Sequence, residues 1–245
     1  MANTLFLRLE GPLQSWGERG RWSIRDTAPE PTKSGVVGLL ACALGWQDDE
    51  HIRGLSQQLR IGVRCDRAGA GAPLVDYHTV GGGYPTPMLL TAEGKPKWTP
   101  SKRPHTEQTW RSYLCDASFL VAIQVQPSDA ELIATLVEAV QAPVWPIYLG
   151  RKSCVPTLPV YAGVGEYSSL EAALMSMPLH ANSVANNVTT TRLRAVIECR
   201  AQEPGSVRRR DQFISRRYRL YGARYSRDVS LEVVIVPALL EEEMI

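Results

Sequence analysis

Two segments near the start of the chain carry side chains that suit the binding of a nucleic acid. Gln14, Ser15 and Trp16 lie in a loop bounded by glycine and proline, where the indole can stack on a base and the amide can hydrogen-bond to its edge. Lys33 and Ser34 open a predicted helix. The free N–H groups and the dipole at a helix N-terminus favour a phosphate, and Lys33 adds a positive charge there.

The segment around Lys33 does not match a nucleotide-binding P-loop. That motif needs glycines before the lysine, so that several backbone N–H groups can wrap the phosphates. Residues 26–31 contain two prolines and no glycine. We therefore predict that this helix start holds a single phosphate and not a nucleoside triphosphate.

Arginine-rich segments further along the chain extend the basic pattern that Arg25 begins. Residues 208–227 contain eight arginines and one acid, interleaved with aromatic residues, and Arg209 and Arg210 are the candidate contacts. Arginine and aromatic side chains together can pair with phosphates and stack on bases. The alternative is a solvated strand face whose arginine stems cover apolar surface. A glycine-centred basic loop offers a second backbone grip, formed by Tyr148, Gly150, Arg151, Lys152 and Ser153.

Two histidines at the ends of a proline- and glycine-rich insertion raise the alternative of catalysis. His78 stands where the insertion begins, His105 stands where it ends, and Arg111 follows. If the fold brings the histidines together, they can cleave RNA by metal-free general acid–base chemistry; otherwise they are polar contacts at the base of a hairpin. None of the four histidines has metal-ligand spacing, so we predict no metal and no other cofactor.

Composition restricts the class of protein. The 245 residues are 44% hydrophobic, which is enough for a packed core, and the net charge is only +2. Five widely spaced cysteines without a C-x-x-C pair predict free thiols in a reducing cytoplasm. No apolar run has the length of a membrane span and no secretory signal is recognisable, so no membrane association is predicted.

Hydrophobic periodicity predicts the elements that position these residues. Thr32 caps a helix over 33–44 that Gly45 ends, and Ser128 and Glu131 form a capping box before a second helix that stops ahead of Pro143. A short helix is predicted over 169–175. The order is close to βαββαβ, which is typical of a ferredoxin-like α+β domain. The predicted strands are 4–10, 59–65, 73–79, 117–125 and 192–200.

The insertion over residues 79–104 is predicted to protrude from this domain. It holds five prolines and four glycines, which a core element does not tolerate. We predict a local hairpin that turns at Glu93-Gly94, with Met88–Leu90 facing Lys97–Thr99.

Five short motifs follow one another along the chain, and together they carry a resemblance. They are Gly11–Gly17 (GPLQSWG), Pro31–Gly35 (PTKSG), Asp76–Val80 (DYHTV), Thr109–Phe119 (TWRSYLCDASF) and Tyr148–Cys154 (YLGRKSC). Each motif alone is weak, but in this order they are specific. Over roughly residues 4–220, the chain resembles the CasD family of type I-E CRISPR Cascade subunits.

The resemblance implies a fold and a role. The fold is a ferredoxin-like RAMP domain, RRM-like in its arrangement, over residues 1–165, with an inserted β-hairpin thumb near 79–109 and a C-terminal β-rich extension over 166–245. The role is that of a non-catalytic RNA-binding subunit, which grips the 5′ handle of CRISPR RNA and caps the backbone of the Cascade complex in antiviral defence. The expected partners are the handle, the CasC backbone subunit, the large CasA subunit, other Cascade subunits and, indirectly, target DNA.

The same resemblance assigns provisional roles to the candidate residues. Gln14, Trp16 and Arg25 would contact bases and sugars, the helix start and the Gly150 loop would hold phosphates, and the insertion's histidines with Arg111 would shape the thumb base. In a related branch of the family the protein itself cuts RNA with a tyrosine, a lysine and a histidine. That trio has no match here, since Trp46 and not a tyrosine follows the helix that contains Gly38, and no Lys-His pair exists. A metal-independent endoribonuclease acting on CRISPR repeat RNA is the alternative function.

Overall fold

The computed structural model describes residues 2–18, 20, 23–68, 73–83, 89–181 and 190–237. Within these ranges no helix is long and apolar enough to cross a membrane. The helices are α1 Lys33–Leu44, α2 Asp49–Gln58, α3 Ala130–Gln141 and α4 Leu170–Ser176. The strands are β1 Thr4–Glu10, β2 Leu13–Gln14, β3 Ile24–Arg25, β4 Leu59–Arg67, β5 Leu74–Gly81, β6 Thr106–Cys115, β7 Ser118–Val125, β8 Tyr161–Gly165, β9 Leu179–Ala181, β10 Thr190–Cys199, β11 Val207–Ser215 and β12 Leu220–Pro237.

A large sheet runs through the molecule in the order β11-β12-β10-β4-β7-β1-β8. Every neighbouring pair along this path is antiparallel, and β9 adds to β12 in parallel. Because β10 pairs with β4, the C-terminal strands continue the sheet that the N-terminal strands begin. The predicted α+β class is confirmed.

Both faces of this sheet are covered, which explains the continuous apolar run of β7. Alternate residues of β1 enter different cores: Leu5 and Leu7 pack beneath α1, α2 and α3, while Phe6 packs on the other face with α4. Every residue of β7 is buried, as expected for a strand between two layers. The structure confirms the strands predicted from 4–10 and 117–125, with the second starting one residue later.

The ends of the helices show which capping predictions were right. Thr32 caps α1 through its Oγ1, which accepts a hydrogen bond from the Gly35 N–H at 3.2 Å, and Gly45 ends the helix in the left-handed conformation. The capping box at Ser128 and Glu131 was wrong. Asp129 caps α3 instead and accepts from two backbone N–H groups at 3.0 Å, because its carboxylate stands one residue closer to them.

A smaller sheet lies beside the large one and includes a long hairpin. Its order is β2-β6-β3, with β5 paired antiparallel to β6 over eight residue pairs. Beyond these strands the Lys97 N–H donates a hydrogen bond to the Leu89 carbonyl at 2.8 Å, and the chain turns at Gly94. The turn predicted at Glu93-Gly94 is confirmed, although Met88 lies outside the described residues.

Candidate nucleic-acid interface

A cleft of about 1040 Å³ opens between the N-terminal loops, the Gly150 loop and the turn that joins β11 to β12. Six arginines line it, against the acids Glu18, Asp26 and Asp211. An excess of cations in a concave surface attracts an extended anion. The six arginines are Arg25, Arg151, Arg208, Arg210, Arg216 and Arg219.

Arg25 lies close to several other arginines of this cleft and its margin. Its strand β3 pairs in parallel with β6, and the register sets Arg25 opposite Arg111. Burial lowers the pKa of the Arg25 guanidinium, and the charges of Arg111, Arg219 and Arg151 lower it further. An arginine stays charged even so, and the mutual repulsion of these cations favours the binding of an anion near them.

Arg151 fixes the shape of the cleft from its own side. Its guanidinium donates to the Ser112 carbonyl and to the Arg25 carbonyl, both at 3.0 Å, and lies 4.5 Å from the centre of the Tyr113 ring. These three contacts leave one face and one edge of the guanidinium for a ligand that enters the cleft. Arg151 therefore both joins β3 to β6 and presents charge.

The backbone at Gly150 passes so close to the N-terminal loop that only glycine fits. A Cβ there would lie 1.8 Å from the Ser15 carbonyl oxygen, and the φ of Gly150 is +90°. The hydroxyl of Ser15 in turn donates to the Ser112 carbonyl at 3.1 Å. The two loops that the sequence singled out are thus brought together, with Ser15 and Gly150 side by side on the wall of the cleft.

The structure corrects the prediction that Gln14 and Trp16 contact bases. Both side chains are buried, with 0% and 1% of their surfaces exposed. The Gln14 amide donates to the carbonyls of Leu9 and Ala117, and its oxygen accepts from the Trp16 indole at 3.0 Å. Every polar atom of the pair is engaged inside the protein, so these residues support the loop and leave nothing to offer a base.

The predicted phosphate site at the start of α1 is also corrected, since a carboxylate of the protein itself fills it. The Asp211 carboxylate accepts from the Lys33 backbone N–H at 2.8 Å. The Lys33 ammonium is buried and pairs with Glu198 at 2.9 Å. Burial lowers the pKa of Lys33, and the Glu198 carboxylate opposes that shift. Ser34 remains half-buried on the cleft wall.

The two arginines chosen from the basic block have different positions. Arg209 is not among the described residues that line the cleft and pairs with Glu30 at 2.6 Å and with Glu18 at 3.3 Å, so its assignment as an RNA contact is corrected to a structural role. Arg210 is exposed and lines the cleft. Neighbouring strand residues point to opposite faces, which is why only one of the two reaches the opening.

The histidines of the insertion are not brought together. His78 pairs across the hairpin with Thr109, and His105 stands four residues before Thr109, just ahead of β6, which is roughly 13 Å along an extended chain. Each has its own carboxylate: His78 Nδ1 lies 2.7 Å from Asp76, and His105 Nε2 lies 3.1 Å from Glu107. The geometry contradicts a shared acid–base pair.

The remaining candidates lie at the margin of the cleft. Arg111 donates from Nε to Thr109 at 3.2 Å and stands beside Arg25. Tyr148 is half-buried, and Lys152 and Ser153 are exposed in the Gly150 loop. None of these is among the described lining residues of the cleft.

Sequence reasoning missed six charged residues of the cleft, among them the acids Glu18 and Asp211. Arg216 and Arg219 form the turn between β11 and β12, Arg208 precedes them on β11, and Asp26 follows β3. The density of arginines over 208–227 identified the segment but did not show which of its side chains face the cleft.

Fold and cleft together define an α+β protein whose N-terminal loops and C-terminal hairpin build one arginine-lined cleft for an anionic ligand. A family model described as CRISPR-associated protein (Cas_Cas5) matches residues 4–226. The CRISPR system Cascade subunit CasD of Escherichia coli (strain K12) is 38% identical over 184 residues, which cover 72% of this chain and 77% of that relative.

Two solved structures agree with these matches. A chain of a CRISPR RNA-guided surveillance complex superposes with a TM-score of 0.75 at 32% identity, covering 96% of this chain and 94% of that one. A second, described as a crystal structure of a Cas protein, has a TM-score of 0.66 at 36% identity, covering 93% and 94%. The chain belongs to the CRISPR-associated Cas5 family.

Proposed function

We propose that this chain is a subunit of a Cascade surveillance complex and that its arginine-lined cleft grips the 5′ handle of the CRISPR RNA. The observation that carries the proposal is the lining of one cleft by Arg25, Arg151 and Arg219, with Arg111 opposite Arg25 on the neighbouring strand. A flexible RNA end can lay successive phosphates along such a cleft. The relatives named above, a Cascade subunit and a chain of an RNA-guided complex, support the same role.

The proposed RNA contacts follow from the geometry of the cleft. Residues on its wall present cations, hydroxyls or bare backbone, and the Gly150 loop and the hairpin supply further contacts at its edge. The wall contacts are Ser15, Arg25, Ser34, Gly150, Arg151 and Arg210. The edge contacts are His78, His105, Arg111, Tyr148, Lys152 and Ser153.

The strand order supports a ferredoxin-like unit within the larger sheet. Strands β4-β7-β1-β8 are neighbours, and the chain crosses between them through α1 and α2 and again through α3, which is the βαββαβ pattern. On this proposal residues 1–165 form the RAMP domain, the hairpin near 79–109 is its thumb, and residues 166–245 extend the sheet.

The long hairpin supports the proposal that other subunits cover part of this chain. Val75, Tyr77 and Trp110 are all more than a third exposed on one of its faces, with Ile24 beside Trp110 on β3. A run of exposed apolar side chains is typical of a surface that is buried in an assembly. We propose the CasC backbone subunit and the large CasA subunit as neighbours, with target DNA reached only through the complex.

We further propose that the chain binds RNA without cutting it. The support is the separation of His78 from His105, because general acid–base cleavage needs both groups within hydrogen-bond reach of one phosphate. All five cysteines are free thiols, as predicted, which supports a reducing compartment such as the cytoplasm.

The experiment measures binding of the full chain to fluorescent CRISPR repeat-derived RNA by anisotropy over a range of salt. The test variant combines Arg210→Ala with Arg219→Ala, and the matched control is Arg53→Ala, an exposed arginine on α2 outside the cleft. Removing two phosphate contacts should weaken binding at least tenfold and reduce the slope of log K against log salt by about 1.4. The control should bind as the unchanged protein does.

Equal binding by the double variant and the control would contradict the cleft assignment. The same mixtures are incubated with EDTA and examined for RNA fragments. Intact RNA is the expected result, and a specific cut that His78→Ala or His105→Ala abolishes would favour the endoribonuclease.

A further inference from the structure

Two apolar side chains lie in the arginine-lined cleft, where the other described lining residues are charged, carry a hydroxyl or are glycine. They are Leu220 and Tyr221, which open β12 directly after the turn from β11. Leu220 is 44% exposed and Tyr221 is 37% exposed, so a ligand in the cleft can reach both. The hydroxyl of such a tyrosine can meet a phosphate, and its ring can stack on a base.

The fold orients the Tyr221 ring from one side. Tyr221 pairs across β11 and β12 with Phe213, which is buried in the core. The centres of the two rings are 6.4 Å apart, and their planes meet at 78°. A T-shaped contact of this kind covers at most one face of a ring, so Phe213 leaves at least one face of Tyr221 uncovered. A side chain that is oriented before the ligand arrives loses little conformational freedom on binding.

Cations for a neighbouring phosphate stand next to this ring. Arg210 lines the cleft from β11, and its Nε donates to the Tyr221 carbonyl at 3.5 Å. Arg219 lines the same cleft two residues before Tyr221. In a nucleotide the sugar separates the base from the phosphate, so a site for both needs a ring and a cation side by side. A cationic groove that also carries an aromatic ring is the arrangement that binds single-stranded nucleic acid.

We propose that Tyr221 is the stacking platform of the cleft, on which one base of the bound RNA lies while Arg210 or Arg219 meets the adjoining phosphate. The inference rests on the proposed RNA binding and adds a base subsite to it. Leu220 adds apolar surface to the same cleft lining. Every base has a π-face, so this subsite distinguishes a nucleotide with a base from one without, and not one base from another.

A stacking ring differs in two ways from a tyrosine that holds a phosphate through its hydroxyl. Tyr221→Phe keeps the ring and removes the hydroxyl, so it should bind RNA as the unchanged protein does. Removal of the stacked base from the RNA should cost as much affinity as Tyr221→Ala. The two losses should not add, because each removes the same contact.

The experiment measures binding of the full chain to fluorescent CRISPR repeat-derived RNA by anisotropy. The RNA is used unmodified and as a series in which one nucleotide at a time lacks its base but keeps its ribose, 2′-hydroxyl and phosphate. For the unchanged protein we expect at least one position at which loss of the base weakens binding about tenfold, the scale of one stacked base.

The variants then show whether Tyr221 causes this position effect. Tyr221→Ala should bind unmodified RNA about tenfold more weakly, and loss of the base at that position should weaken its binding by no more than about twofold. Tyr221→Phe should keep both the affinity and the position effect. The matched control is Tyr218→Ala, an exposed tyrosine of the turn between β11 and β12 that is not among the described lining residues, and it should also keep both.

The outcomes separate this inference from the function on which it rests. Non-additive losses at one position, with Tyr221→Phe and Tyr218→Ala like the unchanged protein, support the proposal. It is overturned if no single base loss weakens binding, if Tyr221→Ala keeps every position effect, if Tyr221→Phe loses as much affinity as Tyr221→Ala, or if Tyr218→Ala abolishes the same position effect. In each of these cases RNA binding by the unchanged protein leaves the proposed function intact. If the unchanged protein does not bind RNA, the proposed function fails, and the inference fails with it.

Discussion

The Asp211 carboxylate accepts a hydrogen bond from the backbone N–H of Lys33 at 2.8 Å, although these residues stand 178 positions apart in the chain. Asp211 also accepts two hydrogen bonds from Arg224, at 2.7 and 2.8 Å. An anion at a helix N-terminus is favourable, and here the protein supplies that anion from β11. The contact joins the C-terminal strands to the first helix and closes the site that the sequence suggested for a phosphate.

Replacement of Asp211 should therefore destabilise the fold. Asp211→Asn keeps the volume but leaves the Arg224 guanidinium and the helix N-terminus without their negative partner in a buried site. We expect the free energy of unfolding to fall by about 3 kcal/mol, as measured by urea denaturation. The matched control is Asp228→Asn, whose carboxylate meets Arg194 at 2.8 Å at the surface and should cost less than about 1 kcal/mol. Equal losses in the two variants would show that Asp211 does not stabilise the contact between β11 and α1.

Gly150 and Gly205 together separate the cost of a close contact with neighbouring backbone from the cost of a positive φ. Gly150→Ala brings a Cβ against the Ser15 carbonyl in addition to the strain of a positive φ. Gly205→Ala has a similar φ of +76° and meets no atom within 4 Å, so it reports the strain alone. The strain should cost about 1 kcal/mol, and Gly150→Ala should lose at least about 2 kcal/mol more. The urea midpoints of the two variants give the comparison, and coincident midpoints would contradict the contact.

Trp16 should contribute to stability before any RNA is present. Its ring packs on α1, where a Cβ on Gly35 would lie 2.7 Å from the ring. Trp16→Ala should lower the free energy of unfolding by about 3–5 kcal/mol, the usual cost of emptying a core site of this size. Trp98→Ala, in the exposed hairpin, should cost about 1 kcal/mol or less. A Trp16 variant of unchanged stability with reduced RNA affinity would restore the base-stacking interpretation.

The thiol of Cys65 should be unreactive in the folded protein. Burial raises the pKa of Cys65 from 9.0 to about 11, and the nearby Arg194 only partly opposes this shift. Because the thiolate is the reacting form, iodoacetamide at pH 9 should label Cys65 on the order of fiftyfold more slowly in the folded chain than in urea. Mass spectrometry of the labelled peptide measures both rates. Labelling of the folded chain should accelerate only as the pH approaches 11, and rapid labelling at pH 9 would contradict the burial.

Periodicity predicted most of the elements because burial on one or both faces leaves a local pattern. The helix over 33–44 agrees with α1 at both ends, and the strand starting at Leu59 extends to Arg67. Helix α2 was missed because only a few of its residues are apolar, and its helical state depends on the Asp48 cap and on packing against β11. The tertiary contacts of such a segment outweigh its weak pattern.

The sequence by itself determined the class of fold, the turn at Gly94, the free thiols and the segments that carry basic charge, because these depend on local pattern and composition. Only the tertiary structure decided which polar side chains face a ligand. Gln14, Lys33 and Arg209 are engaged in hydrogen bonds or ion pairs with carbonyls and carboxylates from distant parts of the chain. A buried polar group must find a partner, and its identity depends on packing that no local pattern records.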